Sequence, residues 1–227
     1  MVNRINSDSL HKAVDILKEF PIPRDVPISV VSGIASFIFF WIFILLAGYY
    51  YPGYSPFNNW MSDLGSLKAN PQGGFYFNLG CVVTGITLIP FFLGLYEWYI
   101  GGRRNMILTI ATQVCGVYLA FSIIMIGLNP IDNLEVHGFW AINFFTVSIF
   151  VTFFPSIALY KYKFTRNVAL YGFFSTAVNI AFRFFIIMPI IEWATILFSF
   201  SFIIVIVVSM QRRIKRLRVV RKAKLKL

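Results

Sequence analysis

The sequence predicts an all-α integral membrane protein: six transmembrane helices in one bundle, with a short amphipathic helix in the first outer loop. Three observations point there. Of the 227 residues, 58% are hydrophobic and 13% charged, against roughly 45–50% and 25% in an average soluble domain. The apolar residues gather into runs close to the ~20 residues a helix needs to cross ~30 Å of hydrocarbon. Finally, 18 of the 20 Lys and Arg residues fall at the termini and on alternate connections, the pattern that orients membrane spans. This composition excludes a disordered chain and an ordinary soluble enzyme. It also assigns most of the net charge of +11 to topology. No nucleic-acid partner is expected, because no aromatic or Gly-rich recognition pattern accompanies the bases.

Residues 1–27 form a cytoplasmic N-terminal amphipathic segment. Leu10, Ala13, Val14, Leu17 and Phe20 recur at helical spacing, Lys12, Asp15, Lys18 and Glu19 take the other face, and Pro21 and Pro23 end the pattern. Such a helix either lies on the membrane surface or is solvated. The acids among the bases and the length of the first apolar run do not fit a signal peptide. The transmembrane domain occupies residues 28–210, with spans at Ile28–Tyr50, Phe75–Tyr99, Met106–Leu128, His137–Tyr160, Asn167–Met188 and Trp193–Met210. A basic cytoplasmic tail, residues 211–227, follows with nine bases, suited to anionic headgroups at about 1 kcal/mol per base. Basic residues on the terminal side place both ends of the chain in the cytoplasm of a plasma-membrane protein.

The outer connections carry the polar residues. In the first, Ser55-Pro56 reads as an N-cap and first turn and Gly65 as a stop, with Phe57, Trp60, Met61 and Leu64 at i, i+3, i+4 and i+7. This spacing predicts a two-turn helix lying apolar side down in the interface, with Asn58, Asn59, Ser62 and Asp63 on its polar face. In the second, Asp132 and Glu135 have capping-box spacing ahead of span four. His137 follows one turn later, where Asp132 could fix its tautomer. Arg183 lies within span five, where an unpaired charge costs at least ~2.5–3.5 kcal/mol. Asn179 and Ser175 share its face, so the stripe is expected to look into the bundle, and Asp63, Asp132 or Glu192 is the expected acidic partner. A locking ion pair and an anion-recognising group both fit that position. Near the inner end, Glu97 is expected to pair with Arg103 or Arg104.

No cofactor or metal is expected. His11 and His137 lie on opposite sides, no HExxH or His/Cys cluster exists, and Cys81 and Cys115 sit inside apolar runs. Walker, dinucleotide and GxSxG signatures are absent, and no pair of interrupted spans marks an inverted-repeat transporter.

The stretch Tyr54-Ser-Pro-Phe-Asn-Asn-Trp-Met-Ser-Asp-Leu-Gly65, the Asn78–Gly85 opening of span two and the Asn129-Pro-Ile-Asp…His137 connection resemble a prokaryotic six-span membrane family known as domain of unknown function 998. The resemblance covers roughly residues 28–210. It implies the six-span fold and carries over Ser62, Asp63, Gly65, Asp132 and His137, but no activity. More distantly, Ser62-Asp63-Leu64-Gly65 resembles the Ser-Asp-Thr-Gly element of the Frag1/DRAM/Sfk1 membrane proteins, with Leu64 in place of threonine. That likeness implies a role linked to lipid organisation.

The leading expectation is therefore a non-enzymatic protein that binds or organises lipid headgroups, or another membrane protein, through Asn58, Asn59, Asp63, His137 and Arg183. The alternative is an outer-leaflet lipid hydrolase or transferase. There His137, oriented by Asp63 or Asp132, is the base and Ser62 the nucleophile on offer. A small-solute transporter stands third.

Overall fold

The computed structural model describes residues 26–99 and 101–224. The N-terminal amphipathic segment expected in residues 1–27 thus lies almost wholly outside the described residues, as do the last three residues of the basic tail. Among the described residues the chain is helical, with no strand. The long helices are α1 (Ile28–Tyr49), α2 (Gly73–Leu93), α3 (Arg103–Leu128), α4 (Leu134–Tyr160), α5 (Arg166–Phe184) and α6 (Pro189–Lys224). Two 3-10 helices, Met61–Gly65 and Gly94–Trp98, join them.

Five of the six, all but α5, are long and apolar enough to cross a membrane. α5 has 19 residues and carries Arg166 at one end and Arg183 at the other. It ends at Phe184, not at the expected Met188. Phe185–Met188 are apolar but leave the helix: Pro189 has no N–H for the Phe185 carbonyl, and its ring would clash with that carbonyl in a continued helix. α6 continues past the expected Met210 to Lys224, and eight of the nine bases of the tail lie in its last turns.

Each helix packs on the next in sequence, and α6 returns to α1 to close the ring. Small residues allow the closest approaches. A Cβ built on Gly85 of α2 would stand 2.6 Å from the Ala120 carbonyl oxygen of α3, so only glycine permits the two backbones to meet there. Phe91, Phe92 and Phe202 are fully buried and fill the middle of the ring with Leu88 and Phe200. Hydroxyls tie neighbouring helices within this apolar interior, as in Thr176 to Thr152 (2.9 Å) and Tyr171 with Ser201 (2.6 Å). Glu97 accepts from the Ser29 hydroxyl at 2.7 Å, so it is tied to α1 and not to the expected Arg103 or Arg104.

Candidate functional site

The connection from α1 to α2 turns into the bundle. At 1.5 Å per residue α5 is about 12 Å shorter than α4, and the loop seats itself against the ends of α5 and α6. Trp60 packs on Phe182 of α5, with ring centroids 6.4 Å apart. Met61 and Leu64 are completely buried. The two-turn interfacial helix expected here is instead a turn at Ser55–Asn59 followed by the 3-10 helix Met61–Gly65. Its apolar side faces protein rather than lipid. Of the four apolar positions in the predicted pattern, Phe57 alone is exposed.

Polar groups from distant parts of the chain hold the loop down. A Glu192 carboxyl oxygen at the start of α6 accepts the Met61 N–H at 2.7 Å. Asp63 accepts the Trp60 N–H at 2.9 Å, capping its own 3-10 helix. Asp132 accepts the Ser66 hydroxyl at 2.8 Å and the Leu67 N–H at 2.7 Å. Asn70 donates to the Ala47 and Leu64 carbonyls and accepts the Gly73 N–H, while Asn78 donates to the Gly65 carbonyl. Tyr54 donates to the Trp60 carbonyl and accepts from the Trp193 indole at 2.9 Å. Burial pushes the Tyr54 phenol well up, and neighbouring Glu192 and Asp63 add to the shift against the opposing Trp193 hydrogen bond. Desolvation is the largest single influence on Asp132, but the Leu67 amide, the Ser66 hydroxyl and the Lys68 amide and charge outweigh it. Together they hold the carboxyl below its ordinary 3.8.

Beneath the loop lies a cavity of about 40 Å³, lined among others by Met61, Ser62, Phe77, His137, Phe145 and Glu192. One water needs roughly 10–15 Å³ on this measure, so the space suits a few waters. His137 is buried, and its Nδ1 lies 2.8 Å from the Asn129 carbonyl. A carbonyl only accepts, so Nδ1 carries the proton and Nε2 keeps the basic lone pair. The tautomer is therefore set by a main-chain oxygen, not by Asp132 as expected. Nor does Asp132 start α4, whose N-cap is Asn133 without a side-chain bond. The Asp63 carboxylate lies within electrostatic range of both His137 and Glu192. Among the described residues no group of three or more His, Cys, Asp or Glu side chains could hold a metal.

The sequence-predicted site is thus divided. Ser62, Asp63 and His137 gather at or beside the buried cavity. Asn59 accepts the Ser55 N–H within the turn, and Asn58 is exposed on it. Arg183 stands apart, half-buried in the groove between α4 and α5. Its Nε donates to the Thr146 hydroxyl at 3.0 Å, and its guanidinium carbon lies 5.2 Å from the centre of the Phe184 ring. None of the three expected acids is its partner. Asn179 and Ser175 do face the interior, where Asn179 donates to the Ser199 hydroxyl at 3.0 Å.

Sequence reasoning offered Glu192 only as a partner for Arg183 and missed Tyr54, Ser66, Asn70 and Trp193. An acid three residues into an apolar helix was the one available signal for Glu192. Asn70, just ahead of the Gly73-Gly74 pair that opens α2, was a second.

A bundle of apolar helices with buried polar ties and a polar loop folded into one end defines a multi-pass membrane protein. A family model described as "Protein of unknown function (DUF998)" matches residues 34–212. The chain belongs to that family. No curated protein and no solved structure matches it.

Proposed function

We propose that this is a six-span plasma-membrane protein with both ends of the chain in the cytoplasm. We further propose that it binds phospholipid headgroups from its outer side, without catalysing a reaction. The state of Arg183 carries this reading. Its guanidinium has one neutral hydroxyl partner, and among the described residues its remaining N–H groups meet no protein acceptor. In the last turn of α5 the guanidinium lies where an arginine reaches the interface, within range of headgroup anions. A lipid phosphate there accepts charge-assisted bonds from it. The surroundings suit one: Phe184, Phe185 and Ile187 are exposed beside the arginine as acyl-chain surface, and the Tyr118–Asn143 bond (2.9 Å) continues the polar seam on α4. Six spans follow if α5 crosses as well, which its two arginines permit by lying near its ends.

The test is native mass spectrometry of the full-length protein extracted in mild detergent. Arg183→Gln is expected to lose one retained phospholipid per chain, whereas Arg183→Lys keeps it. Equal retention in wild type and Arg183→Gln would reject the assignment.

The hydrolase or transferase reading draws on one observation: His137, with Nε2 basic, shares a cavity with Ser62. Size weighs against it, since ~40 Å³ is far below the roughly 300–1,000 Å³ of small-molecule sites. Turnover of a lipid by wild type, abolished in a folded His137→Ala variant, would establish it. A transporter needs a continuous route, and the fully buried Phe91, Phe92 and Phe202 occupy the middle of the ring.

A further inference from the structure

At the opposite end of the bundle from the loop, α5 and α6 part around a groove of about 670 Å³. The α5–α6 pair packs less closely than the neighbouring pairs before it. The groove has two unlike halves. Val205 and Val208 of α6 face Val168 of α5 and form apolar walls. Arg212 and Arg216 continue the same stripe of α6 at i+7 and i+11 from Val205, and Asn167 lies across from them in the first turn of α5. On a helix, that stripe from Val205 to Arg216 covers about 16 Å. Asn167 also sits at the positive end of the α5 dipole.

Among the described residues, no acceptor takes the charges of Arg212 and Arg216. Arg212 and Arg216 are exposed. Glu97 is the one acid among the described residues that lies at this end, and it is bonded to Ser29. Arg213, also on the rim, differs in reaching back to the Tyr99 carbonyl at 3.4 Å.

An apolar channel ending in two exposed guanidiniums is complementary to an amphiphile with an anionic head. We infer that the α5–α6 groove is a binding site for one anionic phospholipid. Its phosphate lies between Arg212, Arg216 and the first turn of α5, and an acyl chain lies along Val168, Val205 and Val208. A peptide helix is a poorer fit, because the cations are confined to one end. The site is separate from Arg183 and does not depend on the function proposed above.

The full-length protein, delipidated in detergent, is titrated with dioleoyl phosphatidylglycerol or dioleoyl phosphatidylcholine and the bound lipid counted by native mass spectrometry. Phosphatidylglycerol is expected to bind at least fivefold more tightly. Arg212→Gln/Arg216→Gln should abolish the preference with thermal stability unchanged. Val208→Trp, which fills the apolar half and leaves every charge in place, should lower phosphatidylglycerol binding by a similar factor. Arg183→Gln should leave the preference intact, so the two sites fail independently. Equal binding of the two lipids overturns the inference. So does a preference that survives the double substitution, which would place it on the bases further along the tail. Competition by glycerol 1-phosphate at lipid-like concentrations overturns it too, since that marks a free-phosphate site with no role for the chain.

Discussion

Glu192 accepts the Met61 N–H at 2.7 Å, a bond between residues 131 positions apart that fastens the first long loop to the last helix. Both groups are buried, so each would lose a partner without the other. Glu192→Leu leaves the Met61 N–H unsatisfied and is expected to cost about 1–3 kcal/mol. Glu192→Gln retains a carbonyl acceptor at the same reach and should cost less. Thermal unfolding of the purified variants checks the order, and equal stability of Glu192→Leu and wild type would show that the bond contributes nothing.

Asn70 is the loop's second anchor, with two carbonyls and one amide satisfied by a single side chain. Asn70→Ala strands all three and should destabilise by about 2–3 kcal/mol. The effect should be local first: limited proteolysis between Tyr51 and Gly73 is expected to accelerate before the helices melt.

The Asp132 latch has a predictable pH range. Its carboxyl is held below the ordinary 3.8 in the folded protein. A depressed folded value means that the stabilisation is complete above the unfolded value and is lost as pH falls through the folded one. The stability difference between wild type and Asp132→Asn should therefore be constant from pH 8 to about 5 and shrink only below about 4. A difference that instead changed between pH 6 and 7 would assign the latch to another group.

Two helical glycines should respond in opposite directions. Gly85→Ala forces its Cβ against the Ala120 carbonyl and should cost about 1–3 kcal/mol through separation of α2 and α3. Gly138→Ala, in α4 with nothing within 4 Å of the added carbon, should stabilise by about 0.5–1 kcal/mol through helix propensity alone. Paired melting curves separate packing from propensity.

The helices were legible wherever a run of some 20 apolar residues carried its own meaning, as in α1, α3 and α4. Hydropathy could not mark the end of α5, because Phe185–Met188 remain apolar after leaving the helix; Pro189 was the only local sign. The loop shows a different limit. The Met61 and Leu64 spacing predicted a helix with its apolar side in lipid, whereas both side chains are buried in protein, a difference that periodicity does not mark. Asp132 shows a third. Its capping-box spacing was real, yet Ser66 and Leu67, more than 60 residues away, take its two oxygens. The site divides for the same reason: contacts across the ring, absent from any local pattern, decide which acid each donor meets.

The Glu192–Met61 tie joins parts of the chain that are synthesised far apart in time. Helices α1 and α2 are made long before α6, so the loop between them can rest on α5 and on Asp132 while the Met61 N–H still lacks its Glu192 acceptor. The first turn of the last helix then supplies the final tie that fastens the loop.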